Sequence, residues 1–338
     1  MKTSEALALA QSADPTVTSV SSTSQIATLW AGMGQIVKVK CETSSSGSKR
    51  TIIAKHITCK NPRSFGDQRK AASYHVEAAF YSQYSAALSD RHICCKGLHT
   101  EDKSSGKGGE AEITIVMTPL PNATIHYMSG DTARAAVRSV ARLHAHFWGQ
   151  SKSEAAVQNG LAPQGTYWYL DTRPDEYDNM PRHGLSGKLK KAAHDIDEGL
   201  KSHPYQTICH GDLKSCNMSL SADPRYVTLV DFQYVGKACC AKDLAYLFVC
   251  GIDVDDDFEE RQEEAMLRLY VDELRANGVG DDDAGWGGAL PTIDGLKDAL
   301  DIAYCDLYRW MLGWGVWGNG FLEDRVDRCL DQILETLG

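Results

Sequence analysis

In "TICHGDLKSCNMSLSADPRYVTLVDFQYVG", residues 207–236, the polar groups His210, Asp212, Asn217 and Asp231 fall between two apolar runs. Asn217 follows Asp212 by five positions, and the β-branched run "YVTLV" delivers Asp231. Phosphoryl transfer needs such a set. A carboxylate accepts or orients the proton of the attacking hydroxyl, while an amide oxygen and a second carboxylate hold magnesium against nucleotide phosphates. The pattern D-x-x-x-x-N, then D-F-x after a strand, is the kinase arrangement. A lone aspartate would read as a turn residue. The joint spacing favours chemistry.

That chemistry also needs a lysine on an N-terminal strand and a glutamate on the helix that follows it. Lys55 sits in "TIIAKHI", resembling the V-A-I-K strand, and Glu77 sits in "SYHVEAAFY". Glu77 has a bland reading as a solvated edge residue, but the two residues in this order favour the pair.

The elements that must position these groups follow from periodicity. "QIATLWAG", "QIVKVKCE" and "RTIIAKHITC" read as strands, the second half-exposed by its alternation. "TSSSGS" joins the last two. Residues 66–88 read as an amphipathic helix, with Val76, Ala79, Phe80, Tyr84 and Leu88 on its apolar face. "HICCKGL" and "AEITIVMTPL" read as two more strands around the loop "TEDKSSGKGGE", and Pro119 and Pro121 mark a boundary. Residues 1–24 read as a loosely ordered lead-in with room for a short helix. The expectation is an α+β fold of two lobes: a small antiparallel sheet over 25–120 and a larger, mainly helical lobe over 121–338.

Four helices are expected in the second lobe. "DTARAAVRSVARLHAHFWG" has Asp131 as N-cap and Gly149 at its close. "LSGKLKKAAHDIDEGLKS" and "DFEERQEEAMLRLYVDELRANG" follow, then "TIDGLKDALDIAYCDLYRWMLGWGVWG", which its glycines could break.

Composition narrows the classes. The 338 residues carry 35 Lys and Arg against 45 Asp and Glu, a formal net charge of −10. That speaks against general nucleic-acid or anionic-membrane binding, yet leaves room for a nucleotide held by a local lysine and a metal. The start "MKTSEALALAQSADP" is a poor signal peptide, and no apolar run reaches the length of a membrane span. Eleven scattered cysteines without a C-x-x-C argue for reduced thiols and a cytoplasmic setting rather than a disulfide framework or structural zinc.

With "HGDLKSCNM", "VDFQYVG", "KDLAYLF" and "VARLHAHFW" in this order, the chain resembles the kinase-like small-molecule phosphotransferases over roughly residues 25–330. These are the aminoglycoside phosphotransferases, the choline kinases and, most closely, the ecdysteroid-kinase-like (CHK kinase-like) group. The resemblance implies a two-lobed protein-kinase-like fold with ATP in the cleft. It implies Asp212 as catalytic base, and Asn217 and Asp231 as Mg2+ ligands. Lys55 would hold the α- and β-phosphates, oriented by Glu77. His210 and Asp243 would brace the catalytic loop.

Three departures bear on function. Only "AGMGQ", with Gly32 and Gly34, is available to cover the nucleotide; it reads equally as a phosphate-facing loop or a plain hairpin turn. Lys214 stands where many ecdysteroid-kinase-like sequences carry Trp; it would aim at the transferred phosphate or be a solvated loop lysine. D-F-G is replaced by D-F-Q, and only "YVGKACCAK" separates it from D-L-A, leaving no platform for a protein substrate.

Other features have bland readings. His144 and His146, two apart on a helix, read as structural. Asp253, Asp255, Asp257 and Glu264 brush against a calcium loop, but Phe258 stands where Gly is needed, so an acid-rich helix start is preferred. Trp310, Trp314 and Trp317 read as one helix face, for core packing ahead of ligand lining. The expectation is an ATP- and Mg2+-dependent kinase for a small-molecule hydroxyl acceptor. The alternatives are an atypical protein kinase and a nucleotide-binding pseudokinase or interaction module. No motif reads out the acceptor, whether steroid, amine or sugar.

Overall fold

The structure, a computed structural model, describes residues 2–44, 48–105, 109–255, 258–281 and 288–337. The chain divides into two units, Met1–Pro121 and Asn122–Gly338.

The first unit comprises α1 (Thr3–Ala13), β1 (Val17–Thr28), β2 (Gly34–Thr43), β3 (Lys49–Cys59), α2 (Phe65–Gln83), α3 (Ser85–Ser89), β4 (Gly97–Asp102) and β5 (Ala111–Met117). The five strands form one antiparallel sheet in the order β1-β2-β3-β5-β4. Strand pleating sends alternate residues to opposite faces. On one face Val37, Val39, Cys41, Ile52 and Val116 pack with Ala6 and Ala10 of α1. Lys55 belongs to the opposite pleat, and α2 packs across β3, β5 and β4.

Several expectations are corrected in this unit. Residues 1–24 do hold a short helix, α1, but they are not a loose lead-in: α1 covers a sheet face, and the rest is most of β1, the edge strand. Alanine and serine runs give little periodic signal, so their packing role was hidden. The first strand also ends at Thr28, before "LWAG". On α2 the buried face is Ala71, Tyr74, Glu77, Ala78, Phe80 and Tyr81, while Val76 and Ala79 are only half-buried. "HICC" is not strand; β4 begins at Gly97 and takes in "TED", expected as loop. The two loops expected within this unit lie partly outside the described residues, at 45–47 and 106–108.

The second unit comprises α4 (Gly130–His146), α5 (Gln150–Gln158), α6 (Pro174–Asn179), α7 (Gly184–Ser202), β6 (Gln206–Cys209), β7 (Met218–Leu220), β8 (Val227–Leu229), β9 (Gly236–Cys239), α8 (Ala241–Tyr246), α9 (Glu263–Ala276), α10 (Ile293–Trp314) and α11 (Leu322–Leu337). Two small antiparallel ladders, β6 with β9 and β7 with β8, carry the motif residues between helices. The α10 helix packs against α6, α7, α8, α9 and α11 through a face that includes Leu300, Ala303, Leu307 and Met311.

The cap of α4 is Ser129 and not Asp131, which lies in the first turn; the Ser129 N–H donates to Thr132 Oγ1 at 3.1 Å. Gly149, with φ 92°, precedes α5 and does not close α4. The α10 helix runs unbroken through Gly313 and stops at Gly315. Trp317 is therefore past the helix end, and the three tryptophans do not share a helix face. Trp310 is buried, whereas Trp314 is 63% and Trp317 37% exposed. Of the acids resembling a calcium loop, Asp257 lies outside the described residues, and Glu264 pairs with Arg268 and Lys297. Among the described residues, no helix is long and apolar enough to cross a membrane.

Candidate active site

In the first unit, β3 presents Lys55 and α2 presents Glu77 one turn beyond Tyr74. Lys55 Nζ lies 2.6 Å from Glu77 Oε2, with the two side chains only 4% and 1% exposed. Such burial is tolerable only because each charge has the other close by. The Tyr74 ring stands 5.5 Å from the ammonium and adds its π face.

Gly32 lies in the hairpin turn between β1 and β2, and Gly34 opens β2. The Gly32 N–H donates to Leu29 O, and Met33 N–H donates to Trp30 O. Gly34 is required by close approach: a Cβ there would sit 2.0 Å from His56 O. Two of the turn's N–H groups thus hold the hairpin itself.

In the second unit, β6 leads into His210-Gly211-Asp212. Gly211 has φ 85°, and a Cβ would lie 2.5 Å from Tyr234 O and 2.8 Å from the Thr166 backbone, so only glycine fits. Asp243, on α8, fixes the loop: its carboxylate accepts from the His210 N–H at 2.6 Å and the Gly211 N–H at 2.9 Å. His144 Nε2 lies 3.1 Å from the same carboxylate, with His144 Nδ1 2.7 Å from Tyr270 OH. His144, Cys209 and Asp243 come within the reach of one metal ion. Their carboxylate and ring nitrogens are already engaged, which makes the cluster a brace rather than a metal seat. His146 lies half-buried with its ring 4.6 Å from that of Phe147.

His210 ties the two motif segments together. Its Nδ1 accepts from the Asp212 N–H at 3.2 Å, and its Nε2 lies 3.0 Å from Val230 O, just before Asp231. Its ring stands 4.7 Å from that of Phe232. Asn217 N–H donates to Lys214 O, and Val230 N–H to Asn217 O. Asp231 takes φ 67°, the left-handed region that Asp and Asn tolerate best after glycine. The result is that β7 and β8 bring Asn217 and Asp231 to the same end of one ladder.

Asp212 is 4% exposed. Its Oδ2 accepts from Asn217 Nδ2 at 3.1 Å and from Lys214 Nζ at 2.9 Å. Its Oδ1 is buried with no hydrogen-bond partner. A buried polar atom left without a protein partner is one that a water, an ion or a substrate would satisfy. Asn217 also gives its Nδ2 to Asp212 O at 2.9 Å, and its amide oxygen faces the Cys216 thiol at 3.9 Å. Burial works against the Lys214 charge, but the adjacent Asp212 carboxylate outweighs it and holds the lysine above its ordinary value.

Residues that the sequence did not single out surround Asp212. Burial, and then the Asp212 charge, push the Tyr167 and Tyr246 hydroxyls well above the phenol range. The same causes push Cys250 up to about 12. Tyr167 OH lies 2.8 Å from Tyr246 OH. The Tyr167 ring meets Trp310 edge-on at 5.0 Å, and Trp310 meets Trp317 at 4.9 Å. Tyr246 stands inside "KDLAYLF", where a signal existed; Tyr167 sits in no motif.

A family model described as "Phosphotransferase enzyme family" matches residues 53–278. No curated protein sequence matches. Among solved structures, a Ralstonia eutropha JMP134 protein assigned to the aminoglycoside phosphotransferases is similar with a TM-score of 0.51 at 11% identity, covering 99% of this chain and 97% of its own. Plasmodium vivax ethanolamine kinase gives a TM-score of 0.48 at 11% identity, covering 93% of this chain and 82% of its own. The α+β architecture, a five-stranded antiparallel sheet followed by a helical region, is that of the kinase-like phosphotransferases.

Proposed function

This chain belongs to the phosphotransferase enzyme family, and on that premise we propose that it moves the γ-phosphate of ATP, with magnesium, to a hydroxyl of a small organic molecule. Membership makes it a kinase-type phosphotransferase for small molecules. The nucleotide, the metal and the residue roles are inferred from the two half-sites.

The unpartnered Asp212 Oδ1 carries the proposal. A buried carboxylate oxygen with no donor suits the proton of an incoming hydroxyl. Asp212 is the catalytic base in this reading. Lys214, on the other carboxylate oxygen, is placed to steady charge on the transferred group. Lys55, held by Glu77, takes the α- and β-phosphates, with Gly32 and Gly34 at the turn nearest that strand. His210 and Asp243 hold the catalytic loop.

The donor set fits magnesium: the Asn217 amide oxygen and the Asp231 carboxylate are hard oxygens of the kind it takes. When bound, the ion would supply charge neutralisation on the phosphates. Proximity and charge then account for the rate, with little covalent work asked of the protein.

Between Asp231 and α8 the chain is a single 3-10 turn and the short strand β9. That supports a small acceptor over a protein one. Labelled γ-phosphate from ATP, offered with a fractionated metabolite extract in one arm and a protein mixture in another, tests the proposal. Label in a small product supports it. Label in protein alone favours the atypical protein kinase, and ATP binding without transfer favours the pseudokinase.

A further inference from the structure

The helix that carries Asp243 does not simply stop. After α8 the chain winds into a wide π-type turn, Leu247–Gly251, in which the Ile252 N–H reaches back five residues to Leu247 O at 2.9 Å. Wide turns of this type are uncommon and recur at functional sites. The last carbonyls of any helical segment lack intrahelical donors. Here Phe248, Val249 and Ile252 are buried, so their carbonyls need donors from elsewhere.

One residue supplies three of them. The Asn319 side-chain amide donates to Phe248 O at 2.7 Å and to Ile252 O at 2.8 Å. The Asn319 N–H donates to Val249 O at 2.8 Å. The turn touches the catalytic loop on its other side: a Cβ on Gly251 would lie 2.2 Å from Leu213 O, the residue after Asp212. Between these contacts, the Cys250 thiol meets the side chain of Trp317, two residues before Asn319, and feels the Asp212 charge.

We propose that Asn319 is a positioning residue for phosphoryl transfer. It pins the wide turn against the backbone at Leu213 and so fixes where Asp212 presents its free oxygen. It also anchors Trp317 beside Cys250. The inference rests on the reading of Asp212 as catalytic base.

The test uses Asn319→Ala and Gly251→Ala in the full chain. The first removes the side-chain donors, and the second keeps them but pushes on Leu213. The readouts are turnover of magnesium-ATP with water as acceptor, KM for ATP, thermal unfolding, and amide hydrogen exchange over residues 210–217. Both variants are expected to lower kcat by roughly tenfold with KM for ATP unchanged, since misplacement far from the chemistry is costly. Exchange over 210–217 is expected to quicken while α4 and α9 keep their protection. An unchanged kcat, or a fall that only tracks lost folded protein, would overturn the proposal, as would unaltered exchange over 210–217. If the wild type turns over no ATP with water, the reading of Asp212 is decided by transfer to the metabolite extract. The exchange measurement then decides whether Asn319 positions the loop.

Discussion

Lys55 and Asp212 are both buried charges, and the structure treats them differently. Lys55 sits on a regular strand, faces a regular helix, and closes on Glu77 at 2.6 Å. Asp212 sits in a loop, next to a glycine with positive φ, and has one carboxylate oxygen paired and the other bare. A closed pair contributes to folding and holds a lysine in place. A half-open carboxylate contributes less to the fold and is ready for a proton donor. The contrast matches the proposed roles, a lysine held in place and a carboxylate that takes a proton.

The largest expected effect is at the proposed metal ligands, Asn217 and Asp231. Asp231→Asn keeps a residue that tolerates the left-handed backbone, so the fold should hold. Loss of one carboxylate from the metal set is expected to lower transfer by about a thousandfold, the rate equivalent of several kcal/mol. Raising magnesium should recover part of that loss. Steady-state rates over a magnesium series check it.

Glu77→Gln should break the comparison from the other side. It strands the Lys55 ammonium in a buried site, a change that costs about 3–5 kcal/mol. Thermal denaturation is expected to show a large loss of stability together with weaker ATP binding. A variant that loses ATP affinity at unchanged stability would show that the pair is not closed in the way described.

A smaller effect is expected at Lys214, whose side chain is 43% exposed. Lys214→Ala should slow transfer by roughly tenfold to a hundredfold and leave stability near wild type. Because the lysine's pKa lies above its ordinary value, its ion pair is fully present below pH 10.5 and is lost only as pH rises through the higher folded value. A rate profile whose alkaline limb is lost in the alanine variant checks the role.

The smallest effect concerns a closed charge within the second unit. Asp306 is buried, which opposes its ionisation, but Arg309 and Lys242 outweigh the burial and lower its pKa. A depressed carboxylate contributes stability above its unfolded value of 3.8, and that stability is lost as pH falls through the folded value. Unfolding midpoints followed down through acid pH should fall less steeply for Asp306→Asn than for wild type.

Legibility from the sequence followed the same division. The residues named by motif, from His210 to Asp243, came out in one unit because loop motifs are read by spacing. Lys55 and Glu77 came out because a strand and a helix repeat on known periods. The sequence leaves room for a short helix at α1 but does not show that it packs on the sheet, because closely packed alanines carry little hydrophobic contrast. Trp317 was misread because Gly315 ends the helix in a way that seven-residue spacing cannot show. Tyr167 and Cys250 approach Asp212 through tertiary packing alone, which no local pattern encodes.

Asp212→Asn tests the central claim most directly, with thermal unfolding and transfer of labelled γ-phosphate measured on the same preparation. A midpoint near that of wild type is expected, since Asn keeps the shape of the side chain and relieves a buried charge while giving up the pair with a half-exposed Lys214, with transfer reduced by at least about a hundredfold. A lowered midpoint with transfer near the wild-type rate would mean that Asp212 holds the loop together and that another group takes the proton.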